Sequence, residues 1–340
     1  MSKLRVASIG AGRARESGKR TGFGTAHNHV RGWMAVPDCE VVAVADIVEE
    51  NARVFAEEYG IRQTFTDYAT MLREVKPHCV SLCVWPRLHA PMVIACAKAG
   101  VKLIHCEKPM APTWGEAKAM VQACEKAKCQ LTFNHQNRFE ERWNTAKRLL
   151  DEGVIGKLRR MEGHWGDMFD VGTHWLDLFN MYNDETPADW VLAQIHREGD
   201  PQSFGVKVES QAMVHIHYTN DVYGLLLMGA GHTIWAEHRL LGTDGIIEVA
   251  WPEVRVWGKN DTEPRILPGE ASENPVTDTI VELVDAYRTG REPATSAAKA
   301  LRATEIIFAA YESSRRRGRV ALPLDIEDNP LQTMIEAGEI

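Results

Sequence analysis

The chain of 340 residues has no cysteine after Cys129, and its seven cysteines include no Cys-x-x-Cys pair. The odd count, with several of the thiols inside apolar runs, argues against a disulfide framework and for a reducing compartment. No apolar run approaches the roughly 18 residues that a membrane span requires. Positive charge is also short: 39 Lys and Arg stand against 47 Asp and Glu, a formal net charge of -8. Phosphate binding by a nucleic-acid protein needs a concentrated basic surface, so nucleic-acid partners are not expected. The one basic cluster, Arg315 to Arg319, reads as a solvated helix end. Repeats, low-complexity tracts, a phosphate-transfer loop and a nucleophile elbow are all missing. Met1-Ser2-Lys3-Leu4-Arg5 leads straight into a strand, so no signal peptide is expected, and the expected location is cytoplasmic.

The hydrophobic content of 44% and charged content of 25% are those of a globular protein, long enough for two cores. The first 130 residues alternate short apolar strands with helical stretches. Leu4 to Gly10 reads as a strand, Thr25 to Val36 as a helix, and Glu40 to Ala45 as a second strand. Val48 to Tyr59 is a helix and His78 to Val84 a buried strand. Pro86 to Ala99 is again a helix and Val101 to Cys106 a strand. A capping box at Thr113-Trp114-Gly115-Glu116 opens a helix to about Lys126, and Gln130 to Phe133 closes the pattern. Such alternation implies a doubly wound parallel sheet with its ligand at the carboxyl ends of the strands.

The first strand ends in Gly10-Ala11-Gly12, with Gly24 opening the next helix. Gly10 and Gly12 suit the tight turn and the backbone approach to a pyrophosphate, and Gly24 or Ala26 the helix packing. The stretch Arg13 to Phe23 lengthens the loop by about nine residues over the fingerprint spacing. It carries Arg13, Arg15, Lys19 and Arg20, and lies either over cofactor phosphates or in solvent. Asp46 ends the second strand where a carboxylate would bind a ribose 2′-hydroxyl and repel a 2′-phosphate, favouring NAD with NADP possible. The alternative reading of Asp46 is an N-cap of the following helix. Two further clusters fall at strand ends: Trp85-Pro86-Arg87-Leu88-His89, and His105-Cys106-Glu107-Lys108-Pro109.

Beyond the break at 130, Trp143 to Leu150 reads as a helix and Leu158 to His164 as a strand. A helix is expected from Asp170 to about Tyr182, placing Asp170, His174 and Asp177 on one face. A carboxylate beside an imidazole fixes its tautomer and raises its basicity, which suits a proton shuttle. The plainer alternative makes Asp170 an N-cap and His174 a core histidine. The text then turns β-rich. Gln211 to Tyr218 alternates, with Ala212, Val214, Ile216 and Tyr218 on one face and His215 and His217 on the other. Those two histidines lack a third ligand nearby in sequence, so no metal site is expected. Val222 to Met228, His232 to Leu241 and Ile246 to Val256 read as further strands. Asn260 to Asn274 reads as an exposed loop, and Val276 to Arg288 and Ala297 to Arg316 as helices. Trp235, Trp251 and Trp257 read best as core or interface residues, with sugar stacking as the alternative.

Together these motifs resemble the Gfo/Idh/MocA family, the relatives of glucose–fructose oxidoreductase and inositol dehydrogenase. The likeness rests on the dinucleotide pattern, Pro86-x-x-His89, Glu107-Lys108-Pro109 and Asp170-x-x-x-His174. Weaker echoes are Asn137-Arg138-Phe139, Gly153-x-x-Gly156 and Gly242-Thr243-Asp244-Gly245. The resemblance implies a Rossmann domain (residues 1–130) followed by an α+β domain (131–340) with a large, mostly antiparallel sheet. It implies a sugar, polyol or inositol dehydrogenase in which Lys108, Asp170 and His174 are catalytic and also touch substrate, with Arg138 and His89 as further contacts. Gly10, Gly12, Gly24, Asp46, Pro86, His89, Glu107 and Lys108 would hold the cofactor. A homodimer or homotetramer through the outer face of the C-terminal sheet is implied as well. Two departures stand out: the lengthened glycine loop, and a short Gly156 to Asp170 stretch without a glycine-rich run. They leave open a redox-neutral glycoside-cleaving relative and a non-catalytic NAD(H)-binding sensor.

Overall fold

The computed structural model describes residues 3–12, 24–229, 236–269 and 272–340. The chain divides into two compact units, and residues 274–298 belong to the first although the sequence division at 130 assigned them to the second.

The first unit alternates strands and helices through β1 (Leu4–Ile9), α1 (Thr25–Ala35), β2 (Cys39–Ala45) and α2 (Glu49–Tyr59). It continues through β3 (Gln63–Phe65), α3 (Tyr68–Val75), β4 (Cys79–Leu82) and α4 (Pro86–Lys98). It closes with β5 (Leu103–Cys106), α5 (Trp114–Ala127) and β6 (Gln130–Phe133). The pair β3 and α3 had no strong period in the sequence, since β3 is three residues long and largely exposed. All six strands are parallel in the order β3-β2-β1-β4-β5-β6. That is the doubly wound Rossmann order, whose ligand crevice lies at the reversal between β1 and β4.

The helix that returns to this unit, Pro275–Thr289, packs Val276, Ile280, Leu283 and Val284 against Trp33 of α1 and Val6, Cys79 and Leu103 of the sheet. Gly32 permits this approach: a Cβ there would lie 2.6 Å from Ile280 Cδ1. Asn274 starts the helix by accepting from Thr277 N, with Pro275 at the first position.

The second unit contains α6 (Glu141–Asp151), β7 (Leu158–His164), α7 (Gly172–Tyr182) and β8 (Ala188–His196). Two short strands follow, β9 (Gln202–Ser203) and β10 (Val206–Lys207), and then β11 (Gln211–Tyr218), β12 (Tyr223–Gly229) and β13 (His238–Gly242). The run Ile246 to Val256 is not one strand but a hairpin, β14 (Gly245–Val249) and β15 (Glu253–Gly258), broken at Trp251-Pro252 because proline cannot continue the ladder. The stretch expected as an exposed loop contains β16 (Arg265–Pro268), paired to β15. After the returning helix (α8), α9 (Ala297–Arg316), β17 (Val320–Ala321) and α10 (Pro330–Glu336) complete the chain. The nine-stranded sheet runs β16-β15-β14-β13-β7-β12-β11-β8-β17 and is antiparallel except at β7 and β12.

Helix α7 is buried at every position except Met181. A helix sheltered on all sides belongs to a core, and its polar members then need protein partners. Phe179 rests directly on the sheet, where Gly163 of β7 leaves room: a Cβ there would approach the ring to 3.3 Å.

Candidate active site

In the first unit, Gly10 follows β1 with φ +89° and Gly12 comes next but one with φ +74°. A Cβ on Gly10 would lie 2.2 Å from the carbonyl oxygen of Cys83, so only glycine fits this turn. Gly24 stands before α1 without a side-chain cap. The segment Arg13 to Phe23, on which the expected phosphate contacts fall, lies outside the described residues. Asp46 follows β2 and ties the glycine turn to the sheet edge: Oδ2 accepts from Ala11 N at 2.9 Å and Oδ1 from Val48 N at 2.9 Å. It is not the cap of α2, whose N-cap residue is Val48. Oδ1 also accepts from Asn51 Nδ2 at 3.5 Å, which leaves the second lone pair of Oδ2 as the acceptor for a ribose diol. Glycine turn, strand order and acidic residue together fit a dinucleotide.

Glu107 and Lys108 leave the carboxyl end of β5. Glu107 is buried, and its Oε1 accepts from His29 Nε2 at 3.0 Å and from Asn134 Nδ2 at 3.0 Å. Oε2 faces the Lys108 backbone N–H at 3.3 Å. The other nitrogen of His29 lies 2.7 Å from Ser81 Oγ, which also accepts from Trp33 Nε1 at 3.1 Å. The Ser81 hydroxyl accepts from Nδ1 when His29 is an imidazolium and donates to it when the ring is neutral. Burial pulls the His29 pKa down, but Cys83 and Glu107 outweigh it and raise it to about 10. Burial likewise pushes Glu107 up, but the His29 hydrogen bond and charge, with Lys108 and His105, hold it at about 2. A neutral ring, His105, stacks on His29 with centroids 4.7 Å apart; burial and the His29 charge keep its pKa well below the usual value.

His89 and Pro86 lie on α4, Pro86 in its first turn. His89 is fully buried, with Nδ1 at 3.0 Å from the carbonyl oxygens of Pro109 and Met110 and Nε2 at 3.0 Å from that of Val84. It lies between the segment after Lys108 and the end of β4; burial lowers its pKa, and the neutral ring has one N–H to donate to one side or the other.

In the second unit, Asp170 is not in the helix. It lies in a turn, and α7 begins only at Gly172. Asp167 makes that turn: Oδ1 accepts from Phe169 N at 2.9 Å and from Asp170 N at 2.7 Å, Oδ2 from Ser203 Oγ at 2.8 Å. Glu209, also buried, holds the same segment by accepting from Met168 N and Tyr311 Oη, each at 2.7 Å. Burial raises Glu209 to about 7 against these hydrogen bonds, and burial also raises Asp167. His174 is buried in the first turn of α7. Asp177, three residues on in α7, has a cationic partner of its own. It takes Arg138 in a bidentate pair, Nε to Oδ2 at 2.6 Å and Nη2 to Oδ1 at 2.9 Å. Arg138 also reaches Glu185 Oε1 at 2.7 Å, so its guanidinium braces α7 from within the unit.

His217, one of the paired strand histidines, is engaged by Asp189 at 3.1 Å and Asp221 at 3.2 Å and stacks on Trp190. Trp251 is exposed, and Trp235 lies outside the described residues. His29, Asn134, Asp167 and Glu209 had escaped the sequence reading. Only Asn134, at the end of β6, carried a signal, its position at a strand end.

Residues 4–135 match the GFO_IDH_MocA model, described as an oxidoreductase family with an NAD-binding Rossmann fold. Likeness extends further along the chain. It is 24% identical to the D-apiose dehydrogenase of Paraburkholderia graminis over 92% of this chain and 91% of that protein. It is 28% identical to the D-glucoside 3-dehydrogenase of Escherichia coli over 52% of this chain and 53% of that protein. A solved structure of an oxidoreductase from Agrobacterium radiobacter, in complex with NAD+, L-tartaric acid and magnesium, superposes with a TM-score of 0.80. That pair is 21% identical, covering 94% of this chain and 98% of that one. The likeness is thus to the Gfo/Idh/MocA oxidoreductases, carried by the family model over residues 4–135 and by more distant relatives along the rest of the chain. The curated relatives are named dehydrogenases, and the residues around Gly10 and Asp46 fit the NAD of the matched Rossmann fold.

Proposed function

We propose that the enzyme transfers hydride reversibly between NAD and a secondary alcohol of a sugar, polyol or inositol. The observation that carries the reading is Lys108, delivered at the carboxyl end of β5 by a buried carboxylate that His29 and Asn134 lock in place. When bound, NAD supplies the hydride acceptor. Lys108 supplies the cation that stabilises negative charge on the reacting oxygen. His174 takes the hydroxyl proton, and Asp170 orients its ring. Gly10, Gly12 and Gly24 lie along the cofactor, and Asp46 favours an unphosphorylated ribose. Pro86, His89 and Glu107 shape the wall behind Lys108. Arg138 is assigned to bracing α7 rather than to touching substrate.

The sugar assignment is supported by the named activities of the apiose and glucoside relatives. An assembly through the C-terminal sheet is supported by its outer face, where Leu192, Met213 and Leu227 are exposed beside stacked His215 and Tyr223. All seven cysteines are free and six are buried, in keeping with a reducing, cytoplasmic setting. Among the described residues no helix is long and apolar enough to cross a membrane.

The test is NADH fluorescence on mixing the protein with NAD and a panel of inositols, aldoses and glycosides. A rise with one compound, abolished in Lys108→Ala, establishes the dehydrogenase. A glycoside consumed without net NADH would replace it with the redox-neutral reading.

A further inference from the structure

We propose that Trp165 is the stacking platform for a cyclic sugar, the part of the substrate site that selects a ring over an open-chain polyol. The inference rests on the sugar or polyol reading above and specifies its substrate.

Trp165 directly follows β7, with φ +87°. Seven other non-glycine residues among those described have positive φ, and all lie between 48° and 60°, the ordinary left-handed region. Trp165 lies outside it, in a conformation that bulky side chains rarely adopt and that glycine accepts freely. Nothing in the core rewards this placement, because the indole is 49% exposed. The surroundings nevertheless fix it. Trp165 N donates to Leu227 O at 3.3 Å, and Gly229 N donates to Gly166 O at 2.9 Å. Gly166 also has positive φ, +75°, and a Cβ there would collide with Val171 at 2.4 Å. The next residues are pinned by Asp167 and Glu209, and Gly172 N closes the turn on Asp167 O at 2.8 Å.

A rigid turn thus holds a large amphipathic ring towards solvent, five residues before Asp170. Strained backbone retained under an exposed aromatic points to a ligand clamp rather than to packing. The fitting ligand class follows from the chemistry. An indole face takes the flat C–H face of a ring, which a pyranose presents and a flexible open chain does not. Asp167 and Asp170, two and five residues on in the same turn, add negative charge that disfavours anionic substrates. The short Gly156 to Asp170 stretch, whose lack of a glycine-rich run set it apart, is where this platform stands.

The experiment is calorimetric titration of pyranosides and open-chain polyols into the protein saturated with NADH, for wild type, Trp165→Phe and Trp165→Gly, with the melting temperature of each. Loss of a stacked ring is worth roughly a tenfold change in affinity. Trp165→Gly is expected to weaken the bound pyranoside by about that factor, leave polyol affinity within about threefold, and melt no lower than wild type because glycine relieves the backbone. Trp165→Phe should keep most of the affinity. Unchanged pyranoside affinity in Trp165→Gly overturns the proposal. A clear drop in its melting temperature does too, by making the indole a structural element, as does a wild type that binds no pyranoside. Pyranoside binding that depends on Trp165, without hydride transfer to NAD, would sink the dehydrogenase reading and leave the platform standing.

Discussion

Glu107 in the first unit and Glu209 in the second are both buried, and both hold a segment that carries a candidate catalytic residue. Their protons behave in opposite ways. Glu107 meets an imidazole that its charge helps to keep protonated and stays ionised down to about pH 2, whereas Glu209 meets a phenol and a backbone N–H and holds its proton to about pH 7. Burial penalises the charge in both, so the partner decides the outcome. The Lys108 segment is therefore built on an ion pair, and the Asp170 segment on carboxyl groups that meet hydrogen-bond donors but no cation in these contacts.

The largest expected effect tests whether the ion-paired region is the one that does chemistry. Lys108→Ala should lower turnover by about a thousandfold while NAD affinity stays within a few-fold, read by NADH formation and by cofactor titration. His174→Ala should do the same from the other region. A Lys108→Ala enzyme retaining most of its activity would remove the chemical meaning of the contrast.

Stability comes next. Glu107→Gln leaves a buried imidazolium with no counter-charge and should cost about 3 kcal/mol in urea unfolding. Glu209→Gln at pH 6 replaces a neutral carboxyl by an amide of the same shape and should cost under about 1 kcal/mol. Equal losses would break the comparison.

The pH profile sharpens it. Because the folded pKa of Glu209 lies above its ordinary 4.5, its contribution is complete below pH 4.5 and declines as pH rises to about 7. Because that of Glu107 lies below 4.5, its contribution is complete above 4.5 and is lost as pH falls towards 2. Unfolding free energies measured from pH 3 to 6.5, below the range where the raised pKa of His29 adds its own decline, should show both slopes, the upper one reduced by Glu209→Gln and the lower one by Glu107→Gln. The smallest effect falls on the cofactor edge, where Asp46→Ala should narrow the preference for NAD over NADP by roughly tenfold in KM.

The two regions also differed in how far the sequence disclosed them. Rossmann strands announce themselves as apolar runs, and Gly10, Asp46 and Lys108 were legible because each terminates one. Local period located His174 but misplaced Asp170, because the side chain that turns the chain there is Asp167, an acid with no pattern of its own. The supports were hidden by distance along the chain: His29 is 78 residues from Glu107, and Glu209 is 41 from Met168. No window of sequence joins such pairs. The hairpin at Pro252 was missed for a simpler reason. Apolar alternation on both sides of the turn concealed the break.

The return of α8 to the first unit bears on how the protein is made. Trp33, fully buried, owes much of its cover to residues near 280, which the ribosome adds long after the six Rossmann strands are complete. During synthesis the nucleotide-binding sheet must wait, with an apolar flank uncovered, until the strands of the second unit have emerged. A fragment ending at residue 136 should inherit that exposed flank and aggregate. The first unit is therefore not a separable module: its last structural part is encoded downstream of residues 137–273 of the second.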